Sequence, residues 1–332
     1  VVKLNELLSE MLSAGKRAAV IEISSHALDQ KRARGIGLDG AVFTNITPEH
    51  LDYHLTMEGY LKAKSAIFRE LKSGGTGAFN LDDPMVGGLL EKVPCPRKTT
   101  FGITSDAEVK ASDIRLSVKG TEFVMSMGDS RTRRISSPLI GEHNVYNILG
   151  ASAVLAGNGV GIDTIAKGIE KARPVPGRLE PVPSNAPFRV FIDYAHTPNA
   201  LENVLKCMKG LTRGHLICVF GCGGDRDRTK RPVMGRIASS LCEMTVLTSD
   251  NPRTEDPESI LRQVEKGVIK ENNYSIIVQR DEAIRRALTR AREGDTVVIA
   301  GKGHEKHQVI GSRVLDFDDR EVTGRTLSEM GY

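Results

Sequence analysis

Four polar segments of this 332-residue chain each follow an apolar run: "DYAHTP" (193 to 198), "GCGGDRDRTKRP" (221 to 232), "SDNPRTEDP" (249 to 257) and "GKGHEKHQ" (301 to 308). Any one of them alone reads as a solvated turn. Four consecutive segments that gather Arg226, Arg228, Arg253, Lys302, Asp193 and Glu305 do not, because neutral turns have no reason to collect such groups at one edge. Arg226 and Arg253 carry guanidinium forks suited to holding a carboxylate bidentately, and Asn251 and Glu305 suit an ammonium. A zwitterion satisfies the set. "FGCGGDRD" as a dinucleotide loop is the rival reading, but it lacks G-x-G-x-x-G and continues into charged residues where a helix must pack closely. In the first half, "EISSH" (22 to 26) and "TNITPEHLDYH" (44 to 54) place Glu22, His50, Asp52 and His54 after predicted strands. A carboxylate with an imidazole suits a divalent cation that bridges phosphate oxygens. Alone, His54 reads as a surface or packing histidine and Asp52 as a cap.

The elements that position these groups follow an alternating β/α pattern. Strands are predicted at 18 to 23, 41 to 45 and 76 to 80, with helices near 4 to 14 and 58 to 72 between them, which implies a parallel sheet covered by helices. Short alternating stretches between about 98 and 136, with turn glycines Gly120 and Gly128, predict appended antiparallel strands. Helices return at 143 to 159 and at 162 to 172, with Asp163 as the expected N-cap. "RPVPGRLEPVPSNAP" (173 to 187), with five prolines, ends helices and holds the chain extended. The boundary is placed there, giving domains 1–173 and 174–332. Beyond it, strands at 188 to 192, 215 to 220, 244 to 248, 274 to 278 and 296 to 300 predict a doubly wound sheet whose ligands sit at the carboxyl ends of its strands. All four polar segments lie on that rim.

Composition narrows the class. Apolar residues at 39% and charged residues at 27% are ordinary for a globular protein, and no run approaches the roughly 18 apolar residues of a membrane span. A net charge of +4, from 46 basic and 42 acidic residues, is too dilute to indicate nucleic acid, so the expected partners are anionic small molecules. Five cysteines without a CxxC pair argue against a disulfide framework and a structural zinc site, and for a reducing cytoplasm.

Taken in order, "EISSHALDQKR", "FTNITPEHLDYH", "YLKAKSAIF", "GEHNVYNILGA", "PGRLE", "DYAHTPNAL", "GGDRDRTKRP", "SDNPRTEDP" and "AGKGHE" resemble the Mur ligases, ATP-dependent amide-bond-forming enzymes of peptidoglycan synthesis. The resemblance covers essentially the whole chain. It implies an α/β chain in which an incomplete Mur-ligase central ATP-binding domain, mostly parallel with appended antiparallel strands, precedes a Rossmann-like C-terminal domain. The DNPR tetrapeptide resembles that of members adding meso-diaminopimelate to UDP-N-acetylmuramoyl-L-alanyl-D-glutamate, and Arg253 would grip the distal carboxylate that lysine lacks.

The resemblance further implies ATP and Mg2+ as cofactors, with Glu22 and His50 helping to hold metal and Lys64 carbamylated to support it. His196 joins these three as a catalytic candidate. Asn144 and Asn147 match positions on the adenine side of ATP, and Arg178 and Asp193 match contacts to its phosphates and ribose. Ser24, Gln30 and Arg32 match the muropeptide site, while Arg226, Asp250, Asn251, Arg253, Gly301 and Glu305 match the amino-acid pocket. A monomer is expected, without nucleic-acid or membrane partners. A lysine-adding relative, a folylpolyglutamate synthetase and a non-catalytic scaffold are the alternatives. No G-x-x-x-x-G-K-[ST] occurs in the sequence, and the family's uridine-diphosphate-binding domain is not among these residues, so the chain alone is expected not to ligate.

Overall fold

The computed structural model describes residues 2–128, 131–269, 271 and 273–332, with the side chain of Asp52 outside that description. The chain divides into two compact units, Val1–Ala172 and Arg173–Tyr332. Among the described residues no helix is long and apolar enough to cross a membrane.

The first unit runs α1 (Val2–Ser13), α2 (Ser25–Asp29), β1 (Leu38–Phe43), α3 (Leu51–His54), α4 (Met57–Ser65), a 3₁₀ turn (Ala66–Glu70), β2 (Leu71–Asn80), α5 (Pro84–Gly87), β3 (Arg97–Gly102), β4 (Val109–Ser117), β5 (Gly120–Met127), β6 (Arg131–Ser137), α6 (Glu142–Gly157) and α7 (Ile162–Glu170). Its strands lie in numerical order; β1 to β4 pair in parallel, and β5 and β6 are added antiparallel. A parallel sheet must be covered on both faces. On one face Phe101, Phe123, Val145 and Leu149 are buried together; on the other, Phe43, Tyr60, Phe68 and Phe79. Gly77 of β2 permits that second packing, since a Cβ there would stand 2.6 Å from Cys95 Sγ and 3.0 Å from the Phe68 ring.

Three local expectations change. The run 18 to 23 is not a strand: it lies outside the sheet with Val20 fully exposed, because an apolar run becomes a strand only where a neighbouring edge supplies its ladder. Glu22 therefore sits on a segment without regular secondary structure. The helix expected to reach 72 stops at Ser65, and β2 begins at Leu71, where pairing to β1 overrides helical spacing. Gly161, not Asp163, caps α7, and Asp163 instead pairs with Arg133 at 3.3 Å.

The second unit contains β7 (Glu180–Pro181), β8 (Arg189–Asp193), α8 (Pro198–Leu211), β9 (Leu216–Phe220), α9 (Lys230–Leu241), β10 (Met244–Leu247), α10 (Pro257–Glu265), β11 (Asn273–Ile276), α11 (Arg280–Arg290), β12 (Thr296–Ala300), the hairpin β13 (His307–Ile310) and β14 (Arg313–Asp316), and α12 (Asp319–Glu329). The sheet order is β11-β10-β9-β12-β8-β7, parallel except where β7 meets β8. The chain leaves β8, passes to β9, winds outward to β11 and returns to insert β12, so the carboxyl ends of β8, β12, β9 and β10 form one rim.

Loop lengths on the rim are set by helix-starting chemistry. Thr197 and Asp256 accept hydrogen bonds from Ala200 N and Ser259 N, with Pro198 and Pro257 opening α8 and α10. Asp256, one of the carboxylates crowding the DNPR segment, is therefore a helix cap.

A buried ion pair ties two rim loops together. Arg231, wholly enclosed, donates from Nη2 to Glu255 Oε1 (2.8 Å) and from Nη1 to Glu255 Oε2 (3.0 Å), while Arg228 reaches the same carboxylate at 3.1 Å. The hydrogen bond from Arg231 is the main reason that the Glu255 carboxyl lies near 2 instead of its ordinary 4.5. A depressed carboxyl pKa contributes stability that is fully present above the ordinary value and is lost as pH falls through the folded one. Acid unfolding of this unit is thus expected to draw on Glu255 between about pH 4.5 and pH 2, and Glu255→Gln should flatten that limb when circular dichroism is followed against pH. An unchanged limb would show that Glu255 does not set it.

Candidate functional site

In the second unit the DNPR loop is anchored from beneath and from the side. Gln308 Nε2 donates to the Asp250 carbonyl (2.7 Å), Val309 N to Asn251 Oδ1 (3.0 Å), and Arg253 N to the Val309 carbonyl (3.0 Å). The β13–β14 hairpin is therefore a brace for this loop. It holds Arg253 at φ +53, a left-handed conformation that a non-glycine residue keeps only when its surroundings impose it.

Arg253 is half-buried. Its Nη1 donates to the Gly224 carbonyl (2.7 Å) and more weakly to the Asn251 carbonyl (3.5 Å). Among the described residues Nη2 and Nε have no hydrogen-bond partner, so one edge of the fork is left for a carboxylate. Arg226 is exposed, with Nη1 on the carbonyl of Asp225 (3.1 Å).

Asn251 Nδ2 donates to Glu305 Oε2 (2.8 Å), and the buried Asp250 faces Gly301 so closely that a Cβ on Gly301 would stand 2.8 Å from Asp250 Oδ2. Gly301 sits at φ +115. The backbone can pass between these side chains only as glycine. Tyr194 adjoins the same pocket: burial raises its hydroxyl pKa, and the Glu305 and Asp250 carboxylates raise it further.

Asp193, at the end of β8, accepts from Leu179 N and Ala195 N at 2.7 Å each. Its burial raises its pKa, and those two hydrogen bonds and the charges of Arg178 and His196 only partly oppose that. Arg178 lies over the Tyr194 ring (5.2 Å), as does His196 (4.6 Å between centroids); His196 Nδ1 also contacts the Tyr194 carbonyl (2.8 Å). Arg178 and His196 thus flank Tyr194, the residue after Asp193.

In the first unit, Lys64 of α4 places its ammonium 5.1 Å from the Tyr60 ring and 5.5 Å from the Phe43 ring, with Nζ 3.4 Å from the Asn45 carbonyl. Burial lowers its pKa, opposed by the carboxylates of Glu49, Asp83 and Glu22. His50 and Tyr60 meet edge to face (6.1 Å), and His54 stacks on Tyr60 (5.1 Å) while its Nε2 meets Ser25 Oγ (2.9 Å). His54 is accordingly a packing residue. Ser24 caps α2 through Ala27 N (3.2 Å), Gln30 Nε2 reaches Tyr53 OH (3.4 Å), and Arg32 is exposed. Glu22, Ser24 and Arg32 share the lining of one open depression of about 510 Å³. On α6, Asn144 donates to the Ile140 carbonyl (2.9 Å) and receives Asn147 Nδ2 (3.2 Å).

With this geometry in hand, comparison with known proteins identifies the lineage. The Mur ligase middle domain family model matches residues 1–155, and the Mur ligase glutamate ligase domain model matches residues 177–303. The UDP-N-acetylmuramoyl-L-alanyl-D-glutamate–2,6-diaminopimelate ligase of Bacillus velezensis is 45% identical over 99% of this chain and 68% of its own length; that of Clostridium tetani is 40% identical over 99% and 67%. A solved structure of an enzyme of that name superimposes with a TM-score of 0.67 at 34% identity, covering 99% of this chain and 68% of the other.

The chain belongs to the Mur ligase family. It spans about two thirds of the length of the curated relatives it matches. A pseudomurein peptide ligase from Methanothermus fervidus, 19% identical with a TM-score of 0.68, shares the fold over 93% of this chain and 66% of its own.

Within this Mur ligase, Asp250, Asn251, Arg253, Gly301 and Glu305 converge, whereas Arg226 points along its own loop. Sequence reading missed the parts that hold them. Arg280, opening α11, is fully buried, bonds Asp319 through Nε (2.7 Å) and Nη2 (2.8 Å), and reaches the carbonyls of Ser249 (3.5 Å) and Ala300 (3.0 Å). These are the residues just before Asp250 and Gly301. Nothing in "QRDEAIRRA" separates Arg280 from its exposed neighbours Arg285 and Arg286; only an apolar spacing that puts position 280 on the inner face of α11, with Ala283, Ile284 and Ala287, could have done so.

Proposed function

We propose that the chain joins the amine of meso-diaminopimelate to the D-glutamate carboxylate of UDP-N-acetylmuramoyl-L-alanyl-D-glutamate, in an ATP-dependent step of peptidoglycan synthesis. The observation that carries this reading is the half-free Arg253 fork beside Asn251, Asp250 and Glu305, which matches in charge and hydrogen-bonding type an amino acid bearing a carboxylate and an ammonium at one end. The names of the relatives support it.

In this reading the glutamate carboxylate is activated as an acyl phosphate, the amine attacks its carbonyl carbon, and phosphate leaves as the amide forms. The protein's part is placement. Arg253 and Glu305 hold the distal end of meso-diaminopimelate; Ser24, Gln30 and Arg32 meet the muropeptide. Asn144 and Asn147 serve the adenine side of ATP, and Arg178 and Asp193 its ribose and phosphates, with His196 a catalytic candidate beside them. Magnesium, when bound, neutralises phosphate charge. Among the described residues no group of three His, Cys, Asp or Glu is disposed to hold a metal ion, so Glu22 and His50 would need Lys64, as a carbamate, for a third donor. The buried, lowered amine of Lys64 suits that conversion, because the neutral form is the one that adds carbon dioxide. Incubation with carbon-13 bicarbonate is expected to give a carbamate resonance that Lys64→Arg abolishes; a resonance that persists in the variant would remove Lys64 from this role. A cytoplasmic location and a monomeric state belong to the same reading.

Competition between meso-diaminopimelate and lysine for the chain, read by calorimetry on wild type and on Arg253→Ala, tests the reading. Preference for the diacid in wild type is the expected outcome, and equal binding of the two would overturn it.

A further inference from the structure

Lys302 adjoins Gly301 in the rim segment "GKGHE", yet its side chain has no exposed surface, whereas the neighbouring cations Arg226 and Arg228 are exposed. Its ammonium donates to the His307 carbonyl (2.6 Å), to Asn251 Oδ1 (3.2 Å) and to Glu305 Oε2 (3.4 Å). An ammonium has three protons, and here three acceptors take them. No proton of Lys302 is left for a ligand.

What Lys302 does instead follows from its partners. Asn251 Oδ1 receives both Lys302 and Val309 N (3.0 Å), which leaves Asn251 Nδ2 to face Glu305 Oε2 at 2.8 Å. Turning the amide over would set its NH2 against the Lys302 ammonium and its oxygen against the Glu305 carboxylate, a mismatch at both ends in a site that admits little water. We propose that Lys302 is the positioning residue of the amino-acid pocket: by holding the Asn251 amide in one sense and engaging Glu305 Oε2, it turns the rest of the Glu305 carboxylate, which the Tyr194 hydroxyl also meets, toward the substrate's distal ammonium, without touching the substrate itself. The inference rests on the pocket assignment made above and extends it to a residue that contacts no ligand.

The variant Lys302→Met keeps an unbranched chain and deletes the charge. Calorimetric affinity for meso-diaminopimelate is expected to fall by roughly tenfold to a hundredfold, the scale of one or two buried polar groups left unpaired. A role confined to stability would lower the thermal unfolding midpoint of Lys302→Met and leave its affinity, measured below that midpoint, unchanged, whereas direct contact with the ligand is read as follows. In the wild-type protein with carbon-13 and nitrogen-15 labels, adding meso-diaminopimelate is expected to shift the Glu305 carboxyl resonance and leave the Lys302 ammonium resonance in place. A shift at Lys302 as large as that at Glu305 would mean direct contact and overturns the proposal, as does unaltered affinity in Lys302→Met. The wild-type spectra decide between contact and positioning even if the variant does not fold.

Failure of the underlying reading is distinguishable. If wild type does not bind meso-diaminopimelate, the pocket assignment falls, while the claim that Lys302 orients Asn251 is still judged in the unliganded protein. There, the Asn251 Nδ2 protons, which face Glu305 Oε2 in a buried side chain, are expected to exchange slowly with water; exchange as fast as that of an exposed asparagine amide would refute the orientation.

Discussion

Replacing Arg280 by methionine while Asp319 stays in place is expected to lower the stability of the second unit by about 3–5 kcal/mol, the cost of stranding one partner of a buried ion pair. Both side chains are wholly enclosed, and their two bonds, Nε to Oδ1 at 2.7 Å and Nη2 to Oδ2 at 2.8 Å, form a fork. The variant leaves the Asp319 carboxylate buried without its counter-charge, and it also removes the donor to the Ala300 carbonyl. Converting the pair to Arg280→Met with Asp319→Leu should recover most of the loss, because two apolar groups need no desolvation offset. Denaturant unfolding monitored by hydrogen exchange at amides of β9, β10 and β12 reads this unit alone. Equal stability of the single and double variants would show that the ion pair is not what sets the cost.

The second large effect concerns recognition. Arg253→Ala is expected to weaken binding of meso-diaminopimelate by roughly a hundredfold to a thousandfold, the range for truncating one member of a buried hydrogen-bonded charge pair. Lysine, which has no distal carboxylate, should bind the variant and wild type alike. The preference between the two amines therefore collapses in the variant. Arg253→Lys should restore only part of it, since an ammonium is a point charge and cannot reproduce the two parallel bonds of the fork. The hairpin that fixes Arg253 N to the Val309 carbonyl makes the outcome specific to the side chain, because alanine keeps the backbone bonds. Alanine must still adopt φ +53, so a circular dichroism spectrum matching wild type is the control. If the variant kept its preference for the diacid, Arg253 would not be the group that grips it.

The alternation of apolar runs and helical stretches sufficed to place β8, β9, β10, β11 and β12 within a residue or two, whereas the caps Thr197 and Asp256 that start α8 and α10 were found only in the structure. The DNPR and GKGHE segments were legible as chemistry because arginine, amide and carboxylate groups seldom gather in turns without a ligand. The strand expected at 18 to 23 was not legible, since an apolar run does not reveal whether an edge exists to pair with it. The helix end at Ser65 was lost for the converse reason, as the ladder between β1 and β2 claimed residues with helical spacing.

Local pattern, then, determined which residues carry charge and which segments end strands, because both depend on neighbours within a few positions. Tertiary structure alone decided what each charge does. Arg231, Arg280 and Lys302 read in the chain like any surface cations, yet each is enclosed and held by partners as far as 51 residues away, whereas Arg226 stands in solvent. Whether a cation meets water, a partner or a ligand is set by burial and by distant acceptors, and neither is written in the spacing of residues along the chain.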